Sequence, residues 1–147
     1  MNREIKFRGK MIPENEWIFG TILRIPSPPV CFGKSETDKY YIQFPDPRYM
    51  PDWNMPYKMV QGEVNPETIG QYTGLHDKNG KEIYEGDIVR IIVNNNIEKI
   101  CRVEFKNGIF GVMFSKNKEL TAFPHFCNTT FEVIGNEYDN PELLGGE

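Results

Sequence analysis

Hydrophobic positions recur at period two along most of this chain, which is the spacing of a half-buried strand. Ile5 and Phe7 alternate with Glu4, Lys6 and Arg8. Pro13-Glu14-Asn15-Glu16 interrupts, and the next run places Trp17, Phe19, Thr21, Leu23 and Ile25 on one face and Ile18, Gly20, Ile22 and Arg24 on the other. Both faces carry apolar residues, so part of this strand is expected to be buried on two sides. The two runs predict an opening β-hairpin. Ser27-Pro28-Pro29 ends it, because proline cannot donate to a ladder. A short strand is expected over Tyr40 to Phe44.

The stretch Thr68 to Val93, TIGQYTGLHDKNGKEIYEGDIVRIIV, holds three strand patterns. Asn79-Gly80 predicts a type I′ hairpin turn, whose two central residues need positive φ. Glu85-Gly86-Asp87 predicts a tight corner, with the Asp87 carboxylate accepting nearby backbone N–H groups rather than acting in catalysis. Asn94-Asn95-Asn96 makes a polar turn, after which Cys101, Val103 and Phe105 face one way. Lys106-Asn107-Gly108 repeats the earlier turn chemistry, Phe110, Val112 and Phe114 share the next face, and Thr130 to Ile134 closes the pattern. About five short strands at this spacing suit a small antiparallel barrel. The predicted core is Ile83, Val89, Ile91, Val103, Phe105, Phe110, Val112, Phe131 and Val133.

The string YTGLHDKNGKEIYEGDIV, with REIKFRGK at Arg3 to Lys10 and EVIGNEYDNPELL at Glu132 to Leu144, resembles the phage and prophage YopX-like family. The three blocks lie at the start, middle and end, so the resemblance spans the chain. It implies a small, mainly β protein encoded by a phage or prophage, with an SH3-like antiparallel barrel in the C-terminal half. It carries over no activity and no catalytic residues. The expected organisation is an N-terminal β-hairpin with a long Pro- and aromatic-rich loop region over residues 1–66, and the barrel over residues 67–147. The segment from Pro26 to Pro56 lies outside the resemblance.

Charge and composition narrow the function. The formal net charge is −4 and no two Lys or Arg residues are adjacent. General coating of nucleic acid rests on neutralising phosphates and is not expected. Cys31, Cys101 and Cys127 are widely spaced without a C-x-x-C pair, which suits unpaired thiols in a reducing bacterial cytoplasm. The N-terminus lacks an apolar leader segment, and no apolar run approaches the roughly 20 residues that span a bilayer. The expectation is therefore a protein with no membrane partner.

Candidate chemistry is sparse. His76 and Asp77 are neighbours, but adjacent strand residues point to opposite faces. His125 and Cys127 form half of a metal pattern, whereas zinc sites draw on two such pairs. No phosphate-binding loop, nucleophile elbow or metalloprotease motif is present. Neither cofactor, metal nor catalytic residue is expected. The segment FPDPRYMPDWNMPYKM, Phe44 to Met59, either lids the core with its aromatics inward or forms a partner-binding surface through Tyr49, Trp53 and Tyr57. The leading reading is a non-enzymatic module that binds a host or phage protein, with self-association through an exposed strand edge a further expectation. The less favoured alternative is nucleic-acid binding through Arg90, Lys99, Arg102 and Lys106, which requires those four side chains on one face. An enzyme acting on a small metabolite comes third, and needs His125, Cys127 and a carboxylate to meet.

Overall fold

A computed structural model describes residues 2–29, 33, 37–48, 57–114, 120–123 and 129–145, without the side chains of 97 and 98. The mainly β expectation holds. The described residues form strands joined by turns and two short 3-10 segments, and they divide into two compact units, residues 5–70 and residues 1–4 with 71–147.

In the first unit, β1 (Phe7–Lys10), β2 (Trp17–Ile25), β3 (Lys39–Pro45) and β4 (Met59–Val64) pair antiparallel in the order β4-β3-β2-β1. The opening strand is set a few residues later than Glu4 to Arg8, leaving Ile5 about half exposed. The hairpin turn between β1 and β2 closes through Met11 N–H to Glu16 O and Asn15 N–H to Met11 O, both 2.8 Å. Register pairs Gly9 with Ile18 and Ile42 with both Ile22 and Gly62. One face of the sheet thus builds a small core of Ile18, Ile42 and Val64, with Phe7, Met11, Tyr40, Phe44 and Ile69 packed around it. Removing such aliphatic side chains from water contributes about 1.5–3 kcal/mol each.

β2 does not show the two-sided burial expected for part of it, since Ile18 is its one buried residue. Phe19 is 46% and Ile25 50% exposed, because the apolar core covers only the Ile18 face. β4 was not expected from the sequence either. Its MVQGEV pattern carries a glycine and polar residues, and burial alternates only at Gly62 and Val64.

In the second unit, β5 (Gly70–His76) and β6 (Glu82–Tyr84) form a hairpin, and β7 (Asp87–Val93), β8 (Asn96–Lys106), β9 (Ile109–Met113), β10 (Leu120–Ala122) and β11 (Thr129–Asn136) make an antiparallel sheet ordered β10-β9-β8-β7-β11. Among the described residues no pairing joins β10 to β11, so this sheet is open rather than a closed barrel. Its core gathers Ile83, Val89, Ile91, Cys101, Val103, Val112 and Phe123, with Phe110, Phe131 and Val133 partly buried against them. Phe105 departs from the expected core. It lies at the end of β8, beyond the packed centre, 47% exposed and paired with the Phe110 ring at 4.8 Å between centroids.

The turns also redistribute. Type I′ geometry, with both central residues at positive φ, appears at Asn94-Asn95 (49° and 64°) and Asn107-Gly108 (55° and 81°), each joining strands by a two-residue loop. At Asn79-Gly80 only the glycine is at positive φ, 82°. The Asp77 carboxylate decides this. Oδ1 accepts from Asn79 N–H at 2.8 Å and Lys81 N–H at 2.9 Å, while Gly80 N–H donates to the Asp77 carbonyl at 3.0 Å. These bonds hold a longer loop that a two-residue turn has no place for.

Candidate functional site

Gly20 sets the geometry of the site. A Cβ there would collide with the carbonyl of Gln43, so glycine is what lets β3 lie against β2. Pairing between the two strands runs from Ile25↔Lys39 to Thr21↔Gln43 and stops. Before Gly20, β2 continues along β1, with Arg8 opposite Phe19 and Lys10 opposite Trp17. Beyond Gln43, β3 continues along β4, with Phe44 opposite Val60 and Pro45 opposite Met59.

Between these diverging segments opens a groove of about 770 Å³, walled by Trp17, Ile18, Phe19, Phe44 and Val60. Its lining is mainly apolar, and its polar rim includes Glu16, Asp46 and Arg48. The Arg8 guanidinium carbon lies 4.6 Å and the Lys10 Nζ 5.5 Å from the Trp17 ring centroid, giving that aromatic face cationic companions.

Asp46 anchors the rim. It is 6% exposed, and its Oδ1 accepts from the Arg48 backbone N–H at 3.0 Å and Nε at 3.1 Å, with Nη2 reaching Oδ2 at 3.1 Å. The Arg48 side-chain bonds, then its backbone N–H, hold the Asp46 carboxyl below the usual range against the opposing effect of burial. Asp46 N–H donates to the Lys58 carbonyl at 2.8 Å, which ties together the two ends of the proline-rich segment. Of the aromatics proposed for that segment, Tyr57 is 64% exposed, while Tyr49 and Trp53 lie outside the described residues.

The four basic residues are not brought onto one face. Register puts Arg90, Arg102 and Lys106 on the side of the sheet away from the core, and Lys99 alternates with them. Lys99 Nζ sits 4.8 Å from the Phe114 ring centroid. Arg90 Nη1 meets Glu132 Oε2 at 3.0 Å, and Lys78 Nζ meets the other oxygen of that carboxylate at 3.3 Å. Arg102 bonds Glu104, and its Nη1 reaches Glu137 Oε2 at 2.8 Å. Each arginine thus sits against a carboxylate that offsets its charge toward a phosphate.

The remaining candidates are structural in their contacts. Asp87 is 1% exposed and accepts Tyr84 N–H at 2.8 Å, the corner chemistry expected of it. Besides its turn bonds, Asp77 accepts Val133 N–H at 3.1 Å through Oδ2. Burial acts to raise its pKa, but the N–H groups of Val133, Lys81 and Asn79 outweigh it and hold the carboxyl below the ordinary value. Asp77 is thus committed to backbone, and His76 contacts the Tyr72 hydroxyl instead, 3.3 Å from Nδ1. Burial pushes the Cys101 thiol up to about 12, which keeps the nucleophilic thiolate form negligible near neutrality. His125, Cys127 and Cys31 lie outside the described residues.

The groove residues Trp17, Phe19, Phe44, Asp46 and Arg48 were not singled out from the sequence. A glycine in mid-strand, which marks a close backbone approach, and the Asp-Pro-Arg turn after β3 were the available signals.

The family model described as YopX protein matches residues 6–145. A relative from Bacillus subtilis (strain 168), the SPbeta prophage-derived uncharacterized protein YopX, is 41% identical over 71 residues. That match covers 46% of this chain and 53% of the relative, so the chain spans about half the length of the curated relative it matches. The crystal structure of protein EF1440 from Enterococcus faecalis aligns with 97% of this chain and 99% of its own, at 24% identity and a TM-score of 0.50, a likeness of fold.

Proposed function

The chain belongs to the YopX family, and from that premise we propose that it is a prophage accessory protein that works by binding a protein partner in the bacterial cytoplasm, without catalysis of its own. Among the described residues no helix is long and apolar enough to cross a membrane. The observation that carries the reading is the groove between β2 and β3 in the first unit, with Phe19 about half exposed in its wall. An apolar cleft with aromatic walls and a charged rim suits a partner's aromatic or aliphatic anchor, since interface energy concentrates in such residues. The titratable groups offer less support for catalysis: Asp77 is committed to backbone N–H groups and the Cys101 thiol is buried. The carboxylates paired with Arg90 and Arg102 favour a protein over nucleic acid.

The test is affinity capture from lysed host cells, with and without nuclease, comparing the natural chain with Phe19→Asp. A charge in the groove is expected to abolish capture of a nuclease-resistant protein while leaving the fold intact by circular dichroism, because Phe19 is outside the core. Capture that disappears with nuclease, or that Phe19→Asp leaves unchanged, refutes the reading.

A further inference from the structure

The tripeptide Lys-Asn-Gly occurs twice, at 78–80 and at 106–108, and its two copies have different backbone surroundings. An asparagine before glycine can lose its side-chain amide when the glycine nitrogen attacks the asparagine Cγ. Glycine favours the attack because it lacks a Cβ and leaves the backbone mobile. The reaction needs the glycine N–H uncommitted and the peptide able to turn.

At the first copy neither condition is met. Gly80 N–H donates to the Asp77 carbonyl at 3.0 Å, Asn79 N–H to Asp77 Oδ1 at 2.8 Å, and Lys78 N–H to the Phe131 carbonyl at 2.8 Å. Lys81 N–H adds a further bond to Asp77 Oδ1 at 2.9 Å. The tip is held from both sides.

At the second copy the turn is only Asn107 and Gly108, between the paired Lys106 and Ile109. Among the described residues, neither the Gly108 N–H nor the Asn107 side chain has a hydrogen-bond partner. Both residues are exposed, and a Cβ at Gly108 would meet nothing within 4 Å.

We propose that Asn107 is a site of spontaneous deamidation and that Asn79 is protected from it by the Asp77 latch. The Gly108 nitrogen bonds to Asn107 Cγ as the Cγ–Nδ2 bond breaks, and ammonia leaves with the proton from the glycine nitrogen. Water then opens the cyclic imide to aspartate or isoaspartate. Isoaspartate lengthens the main chain within a two-residue turn, so the Lys106↔Ile109 and Phe105↔Phe110 pairs must shift. The modification also adds a negative charge beside the exposed Phe105 and Ile109.

The experiment incubates the full chain in mildly alkaline buffer, native and in denaturant, and quantifies aspartate and isoaspartate at both positions by peptide mapping. Product at 107 is expected to form at least about tenfold faster than at 79 in the native chain, equivalent to about 1.4 kcal/mol in the barrier. The two rates are expected to converge in denaturant, where the latch is gone. Equal native rates, faster reaction at 79, or a ratio that persists in denaturant would each overturn the proposal.

Discussion

Asp77→Ala is expected to destabilise the unit containing residues 71–147 by about 3 kcal/mol, since it strips a carboxylate from several backbone donors at once. Asn79, Lys81 and Val133 lose their acceptor together, and the first two belong to the β5–β6 tip while the third belongs to β11. Among the described residues, the direct backbone bond that would still join tip and strand there is Lys78 N–H to Phe131 O. Asp77→Asn keeps one accepting oxygen and should cost about half as much. Against a total stability of about 5–15 kcal/mol for a domain, either loss is large. Chemical denaturation followed by circular dichroism measures it, and a midpoint within error of the natural chain would refute the latch. Acid should act in the same direction. The folded pKa of Asp77 is depressed, so its contribution is fully present above the unfolded value of about 3.9 and is lost as pH falls through the lower folded value.

Gly20→Ala is expected to cost the 5–70 unit about 3 kcal/mol, at the upper end for overpacking. The added methyl would strike the carbonyl of Gln43, which is backbone and cannot rotate aside. Relief requires β3 to withdraw from β2 at Thr21↔Gln43, where the groove begins. Trp17 lies in β2 three residues before Gly20, so its emission is a probe within this unit. The emission-detected unfolding midpoint should fall sharply. If it does not, β3 is not held as close to β2 as the structure places it.

Period-two alternation made most of the second unit readable. Val89, Ile91, Val103 and Val112 face the core because their spacing leaves no other way to bury them. Alternation does not say where a core ends, so Phe105 has the right parity but lies past the packed centre. At Asn79-Gly80 the pair by itself points to type I′, but the deciding group, Asp77, precedes it and reaches across to β11. The groove was illegible for a similar reason: it arises where two strands part, and local pattern carries no record of which strands stop pairing. Gly20 was the trace it left. The resemblance of the terminal and central blocks, by contrast, identified the family from sequence alone.

The two-residue turns have a kinetic consequence. β7, β8 and β9 follow one another through Asn94-Asn95 and Asn107-Gly108, so their contacts close short loops. β11 must instead find β7 from a distance, pairing Thr129 with Val93 and Asn136 with Asp87. Short loops form first because closing them costs less chain entropy. The three-stranded meander is therefore expected to be the folding nucleus of its unit, with β11 docking after the rate-limiting step. Val103→Ala should then slow refolding, and Val133→Ala should mainly speed unfolding. Stopped-flow kinetics showing the reverse partition would place the nucleus at the β7–β11 seam. In the expected order, the strand that Asp77 holds is the last to arrive and the first to leave.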